Sequence, residues 1–84
     1  SYSSDINALS TKDIEILAQA YYKLALTQSK LAHDSNDFND KKMYYTNSLI
    51  NIAESEKLAI RPSVLKEYSN TRLLITKKAQ PFLD

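Results

Sequence analysis

The stretch from Leu9 to Ala32 constrains the fold most, because its start signal, hydrophobic period and length all predict one long helix. Ser10 is a typical N-cap, with Asp13 three residues on as its reciprocal partner. Leu9 and Ile14 lie at the two positions of a hydrophobic staple. At about 1.5 Å per residue the helix would be roughly 35 Å long and would span a small domain. We therefore expect the rest of the chain to pack on it.

The large apolar residues of this helix recur at alternating steps of three and four, which predicts one continuous seam. Flanking alanines would let a second helix approach closely. The polar Gln28 within the seam either fixes the register between helices or marks fraying near the helix end. On this interpretation Leu24→Ala costs roughly 2 to 5 kcal/mol and Lys23→Ala costs little. The predicted seam comprises Ile14, Leu17, Tyr21, Leu24, Gln28 and Leu31, and the alanines are Ala18, Ala25 and Ala32.

Two breaks divide the remainder into two further helices. The segment DSNDFND after His33 is rich in residues that favour turns and caps, so Asp37 or Asn39 is expected to cap a second helix. Pro62 disfavours helical angles at Arg61 and suits the first turn of a third helix. A short helical turn is also predicted near the start of the chain, from the spacing of Tyr2, Ile6 and Leu9.

The predicted helices cover approximately residues 10–33, 38–59 and 62–79, within one domain of residues 1–84. Two long helices joined by a short polar loop form an antiparallel hairpin most simply. The fold class is therefore all-α: a long antiparallel helical hairpin plus a third, shorter helix, in a small helical bundle. The inner stripe of the second helix is predicted as Tyr45, Leu49, Ile52, Ala53 and Glu56, and that of the third as Val64, Leu65, Tyr68, Arg72, Ile75 and Ala79.

Composition removes several functional classes. The chain has no cysteine, which excludes disulfides and thiolate metal sites, and no glycine, on which phosphate loops and nucleophile elbows depend. At 84 residues, a single core usually needs a further source of stability, so oligomerisation is expected. No membrane span or signal peptide is visible in the sequence, so we expect the protein to be cytoplasmic and not embedded in a membrane. The first residue is not Met, which suggests a processed, trimmed or tagged chain that could be part of a longer one.

The residues that could support catalysis or metal binding have simpler explanations. His33 lies near a helix end, where capping and the helix dipole account for it. Asp34, Asp37 and Asp40 have oxygen ligands at three-residue spacing, but the segment lacks the glycine and the terminal Glu of a calcium loop. We therefore expect no enzymatic activity, no cofactor and no metal site.

Two adjacent tyrosine pairs occur near the middle of the first and second helices. Neighbouring helical residues diverge by about 100°, so only one ring of each pair can face the hairpin. Tyr21 and Tyr45 are the inward candidates. The outward rings and their aliphatic neighbours either pack against the third helix or form a surface for self-association or a partner. The predicted surface residues are Ile16, Tyr22, Leu26, Tyr44 and Ile50.

The last third of the chain is its basic end. From Arg61 onward five Lys or Arg accompany two acidic residues, whereas residues 1–60 have six against eight. Such an end is either an ordinary solvated face or a contact for DNA phosphates. No recognition-helix pattern supports sequence-specific readout. The candidate nucleic-acid-binding residues are Arg61, Lys66, Arg72, Lys77 and Lys78.

Two blocks of the chain resemble the helical core of phage terminase small subunits. LSTKDIEILAQAYYKLALTQSKL resembles that family's opening, and NSLINIAESEKLAIRPSVLKEY resembles its closing pattern of a helix end, Pro, Ser and a following helix. The chain departs from the family at Ala59, where Gly is usual, at Arg61, where Ser or Thr is usual, and after Ser63, where an Arg is missing. The matched positions are Leu9, Thr11, Asp13, Tyr21 or Tyr22, Asn47, Ala53, Leu58, Ala59, Ile60, Pro62 and Ser63.

The resemblance implies a non-enzymatic adaptor for viral genome packaging in the host cytoplasm. Such a subunit assembles into a homo-oligomeric ring, binds double-stranded DNA and delivers it to the large, ATPase-bearing motor subunit. An alternative from another class is a protein-binding helical bundle, such as an inhibitor or immunity-type protein. That protein would use the Tyr and Leu surface on a protein partner and would not bind DNA.

Overall fold

The computed structural model describes residues 9–83, in which three α-helices and no β-strand are found. Helix α1 spans Thr11–Asp34, α2 spans Phe38–Leu58, α3 spans Pro62–Ala79, and a 3-10 turn follows at Gln80–Phe82. Every α-helix bound lies within one residue of the predicted one. The all-α class and the small bundle of a hairpin plus a third helix are confirmed. The turn predicted around Tyr2 and Ile6 lies outside the described residues.

The helices begin where the local sequence signals place them. The Ser10 hydroxyl oxygen accepts a hydrogen bond from the backbone N–H of Asp13 over 3.1 Å, which caps α1. The Asp37 carboxylate accepts one from the N–H of Asn39 over 3.2 Å, which caps α2. Pro62 occupies the first turn of α3. Each signal acts within three residues, so the sequence alone is sufficient to locate it.

Helices α1 and α2 pack through small side chains. The Ser48 hydroxyl donates a hydrogen bond to the carbonyl oxygen of Ala25 over 2.6 Å. A serine side chain is short, so it reaches the neighbouring backbone only where the two helices approach closely. Buried small residues recur at seven-residue spacing on both helices, which keeps one face of each toward the other. The buried residues are Ala18, Ala25 and Ala32 on α1 and Tyr45, Ser48, Ile52 and Ser55 on α2.

The centre of the predicted α1 seam was wrong. Leu24 and Leu31 are each 45% exposed, whereas Ala25 and Ala32 are fully buried. The alanines that were expected to flank the seam are its centre, because small side chains allow the closest approach of two helices. Tyr21, an inward candidate, is only half-buried, while Tyr45 is buried as predicted.

Gln28 fixes the register of the hairpin. Its side-chain oxygen accepts a hydrogen bond from the Asn51 amide over 2.7 Å. The first helix continues to Asp34, so the interpretation of Gln28 as a mark of fraying is wrong. A polar pair at one level of an apolar contact opposes sliding, because a shifted register would separate donor from acceptor.

Lys41, in the first turn of α2, binds the C-terminal end of α1. Its ammonium group donates hydrogen bonds to the carbonyl oxygens of Ala32, over 2.8 Å, and His33, over 3.1 Å. These carbonyls belong to the last turn of a helix, where intrahelical donors are lacking. Lys41 therefore couples the two ends of the interhelical loop.

Phe82 closes the same end of the hairpin from the 3-10 turn. Its ring centroid lies 5.7 Å from that of Tyr45 and 5.6 Å from that of Phe38. The Lys41 ammonium lies 5.6 Å from the same centroid, within range of a cation–π contact. The segment after α3 thus returns to the hairpin and contributes to its core.

Helix α3 packs mainly against α2. Glu56 accepts a hydrogen bond from Ser69 over 2.7 Å and forms an ion pair with Arg72 whose Nε–Oε1 distance is also 2.7 Å. On α3 the predicted inner residues Tyr68, Ile75 and Ala79 are buried, but Leu65 is 40% exposed, which corrects that part of the stripe. The α2–α3 contact is therefore partly polar.

Candidate association surfaces

The helices leave much of their apolar surface uncovered. Within residues 9–83, Ile52 and Ile75 are the only Leu, Ile, Met or Phe side chains that are buried. Twelve large apolar side chains are at least 36% exposed, and Leu74, at 61%, is exposed most. Contiguous exposed apolar surface marks interaction sites in soluble proteins. The exposed residues lie in several places, which we describe in turn.

The first place is a leucine row on α1, formed by Leu17, Leu24 and Leu31. These residues are seven apart and each directly precedes one of the buried alanines. Leu24 lies two positions from Tyr22, about 160° away around the helix. Because Tyr22 contacts α3, the leucine row faces away from α3. Leu17 is half-buried, and Leu24 and Leu31 are each 45% exposed.

The leucine row is an uncharged surface. Between its first and last members, the residues that continue the same face are Ala20, Tyr21, Thr27 and Gln28. Gln28 is already bound to Asn51 of α2. No charge on this face between Leu17 and Leu31 therefore opposes the approach of an identical face.

Tyr22, one of the five predicted surface residues, packs inside the molecule. Its ring stacks on that of Tyr68, with centroids 4.4 Å apart and an interplanar angle of 22°. Its hydroxyl shares a hydrogen bond of 3.0 Å with that of Thr71. For Tyr22 the structure thus shows the alternative of packing against the third helix. Tyr44 is also half-buried and lies against the core.

The other three predicted surface residues are exposed but lie in two different places. Ile16 is 56% and Leu26 41% exposed, and each lines a cavity between α1 and α3. Ile50 is 57% exposed on α2, seven residues beyond the exposed Met43. The structure therefore does not bring the five residues together into one surface.

The two cavities lie along an α1–α3 crevice, which we define by their lining residues. One cavity, of about 340 Å³, lies between the N-terminal halves of the two helices, and the other, of about 400 Å³, lies between their C-terminal halves. The crevice lining includes Lys12, Glu15, Ile16, Gln19, Val64, Glu67 and Tyr68 at the first cavity and Leu26, Lys30, His33, Asp34, Leu74, Ile75 and Lys78 at the second.

Two of the predicted nucleic-acid-binding residues have partners within the chain. Arg61 pairs with Glu15 of α1, with 2.9 Å between Nη2 and Oε2, and Arg72 pairs with Glu56. A phosphate would have to compete with these carboxylates. The remaining three candidates, Lys66, Lys77 and Lys78, are exposed on α3.

Burial determines the ionisation of Tyr68. Loss of water around the ring raises the pKa of its hydroxyl above the ordinary value of 10.0, and the neighbouring Glu67, Tyr22 and Glu15 raise it further. The raised pKa means that Tyr68 keeps its proton to higher pH than a tyrosine in water does. This suits a packing role for the tyrosine pair.

The residues considered for metal binding lie at the α1–α2 loop. His33 is exposed in the last turn of α1, and Asp37 is occupied as the cap of α2. Across residues 9–83, no group of three or more His, Asp or Glu side chains is placed to hold a metal ion. Nor does any helix in that range have the length and apolarity needed to cross a membrane.

Sequence reasoning missed three residues that shape these surfaces. Ser48 bonds the backbone of α1, Ser55 is buried seven residues further along α2, and Lys41 binds carbonyl oxygens at the end of α1. A search for small residues at seven-residue spacing would have found the serines beside the three alanines. Lys41 has no such signal, because its partners are backbone carbonyls of another helix.

Comparison of this chain with protein-family models, curated proteins and solved structures finds no match.

Proposed function

We propose that this chain is a non-enzymatic assembly module, and that the leucine row is its contact with a second copy. The observation that carries the proposal is the exposure of large apolar side chains on α1 although the small residues beside them are buried. Leucines at seven-residue spacing are typical of helices that pack against a partner helix. Burying them would add the apolar area that a chain of 84 residues needs.

A second copy suits this surface better than a charged partner does. A two-fold contact brings the same patch of both subunits together, so it requires a surface that does not repel itself. Leu24 lies at the middle of the leucine row, and from Leu17 to Leu31 that face is uncharged. The row therefore meets the electrostatic condition for a symmetric contact.

The test is the solution mass, measured by light scattering over a concentration series. We expect the wild-type chain to form an assembly, and Leu24→Glu to be monomeric because two carboxylates would be forced together. Ile50→Glu is the matched control, since it places the same charge on an exposed isoleucine of α2. A wild-type monomer at all concentrations, or an equal effect of both substitutions, would contradict the proposal.

In the form that the terminase resemblance favours, the assembly is a phage packaging adaptor that binds double-stranded DNA for a large motor subunit. Support comes from Lys66 and Lys77, which are exposed and eleven residues apart, about three helical turns, and so lie on one side of α3. Lys78 is exposed beside them. Because Arg61 and Arg72 have internal partners, these lysines would carry the phosphate contact.

DNA binding has its own test. Affinity for a duplex should fall as salt rises, since each phosphate contact releases counterions. The double change Lys77→Ala with Lys78→Ala should flatten that dependence, whereas Lys12→Ala with Lys23→Ala removes equal charge from α1 as a control. Loss of affinity without a change in slope, or an equal effect of the control, would argue against contacts through α3. No DNA affinity at low salt would favour the alternative, a protein-binding bundle of the inhibitor or immunity type.

A further inference from the structure

The α1–α3 crevice is a second apolar surface, separate from the leucine row. Helix α3 packs mainly against α2. Its contact with α1 is made mainly by side chains, among them the Tyr22–Tyr68 stack and the ion pair of Arg61 with Glu15. The two cavities lie on either side of the stack. Along α1 the crevice extends from Lys12 to beyond Lys30, roughly 27 Å or five helical turns.

Three exposed apolar side chains of α1 and α3 line this crevice. Ile16 is 56% exposed at the N-terminal cavity, and Leu26 and Leu74 are 41% and 61% exposed at the C-terminal one. Apolar side chains at intervals along a crevice between two helices match the contact stripe of an amphipathic helix. A DNA backbone has no apolar ridge and would leave them exposed.

The rims of the crevice carry unmatched positive charge. Lys12, Lys23 and Lys30 follow one another on the same side of α1, eleven and seven residues apart. All three are exposed, and none forms an ion pair with another residue in the range 9–83. Lys78 adds a fourth exposed cation on the α3 side. A partner with carboxylates along its edges would complement this row.

Three lysines and three acidic residues line the crevice, but one of the acidic residues is already neutralised within the chain. Glu67 and Asp34 are exposed at the two cavities, and Glu15 is already paired with Arg61. The balance therefore remains positive, and most so along α1. This asymmetry orients the partner, since its more acidic edge would lie on the α1 side.

We propose that the α1–α3 crevice binds an acidic amphipathic helix of a partner protein. The apolar stripe of that helix covers Ile16, Leu26 and Leu74, and its carboxylates face the lysines of α1 and Lys78. The inference does not rest on self-association, because the leucine row lies on the other side of α1. The complex would complete a four-helix arrangement over the partly open side of the bundle.

The probe is a fluorescently labelled synthetic helix of about five turns, with Leu on one face and Glu along both edges. Its control has the same sequence with Lys in place of every Glu. Each is titrated with the whole chain, and binding is followed by fluorescence anisotropy at two salt concentrations. We expect the Glu helix to bind at least about tenfold more tightly than the Lys helix and to weaken with salt.

Two substitutions locate the site. Leu74→Glu lies in the crevice and should weaken binding about tenfold or more, whereas Ile50→Glu on α2 should leave it unchanged. The double change Lys30→Glu with Lys78→Glu should invert the preference between the two peptides. These positions are exposed, and circular dichroism shows whether each variant remains folded.

The proposal is overturned if neither peptide binds, if both bind equally, or if Ile50→Glu weakens binding as much as Leu74→Glu. It is also overturned if a DNA duplex displaces the bound Glu peptide even from the variant with Lys77→Ala and Lys78→Ala, because the crevice itself would then hold nucleic acid. If Leu74→Glu converts an assembled chain into monomers, the occupant is a second copy. Dependence of the assembly on Leu24, with no peptide binding, would leave the proposed function standing and refute the crevice proposal alone.

Discussion

Ala25→Leu tests the close packing of the hairpin. Ala25 is fully buried, and its carbonyl oxygen accepts the hydrogen bond from Ser48 over 2.6 Å. A larger side chain there must push α2 away. Overpacking typically costs about 1 to 3 kcal/mol, and stretching or losing a buried hydrogen bond adds about 1 kcal/mol. We therefore expect a loss of about 2 to 4 kcal/mol in the free energy of unfolding.

Leu24→Ala is the matched comparison, one residue away on the same helix. Full burial of a leucine stabilises by about 1.5 to 3 kcal/mol, and Leu24 is 45% exposed. Its truncation should therefore cost only about 1 kcal/mol, less than the seam predicted from the sequence would give. Urea unfolding followed by circular dichroism, at concentrations low enough to keep the chain monomeric, measures both values. If Leu24→Ala proved the more costly change, the alanine-centred packing would be wrong.

Three further predictions concern the contacts around this hairpin. Tyr68→Phe should reduce the loss of stability above pH 10. The buried hydroxyl keeps its proton to higher pH than in the unfolded chain, so rising pH favours unfolding. If urea titrations at a series of pH values showed the same loss of stability above pH 10 for Tyr68→Phe, this reasoning would be refuted. Glu56→Ala should lower the free energy of unfolding by about 1 to 3 kcal/mol and Glu54→Ala by less than about 0.5 kcal/mol, because only Glu56 joins two helices. Equal losses in chemical unfolding would contradict this role of Glu56. Lys41→Met should lower the free energy of unfolding by about 1 kcal/mol, because two carbonyl oxygens of α1 lose their hydrogen-bond donor, whereas Lys23→Met should change it little. Thermal melts that rank the two variants in reverse would argue against Lys41 as a cap of α1.

The helix bounds could be predicted from the sequence because their signals are local. Ser10 and Asp37 cap their helices through neighbours two or three residues away, and Pro62 restricts the residue before it. The packing faces were harder to predict. The large apolar residues of α1 predicted a regular seam through Leu24, but the residues that contact α2 are small. Which face of α1 a partner covers depends on that partner and cannot be predicted from this chain's periodicity.

The candidate surfaces depend on contacts between residues far apart in the chain. Periodicity places Tyr22 away from Tyr21 but does not specify that it stacks on Tyr68, 46 residues later. Glu15 and Arg61 are equally distant in sequence, and nothing local indicates that they form an ion pair. Exposure of apolar side chains likewise becomes visible only once the helices are placed. A basic end could therefore be predicted, but not which of its cations have partners.

The central claim is that the leucine rows of two copies meet, and disulfide trapping tests it most directly. The chain has no cysteine, so Leu24→Cys introduces a single thiol at the middle of the row. Under mild oxidation the account predicts rapid formation of a covalent dimer, with little from Ile50→Cys, which places the thiol on the outer side of α2. Cross-linking that is equally slow for both, or faster through position 50, would contradict the account.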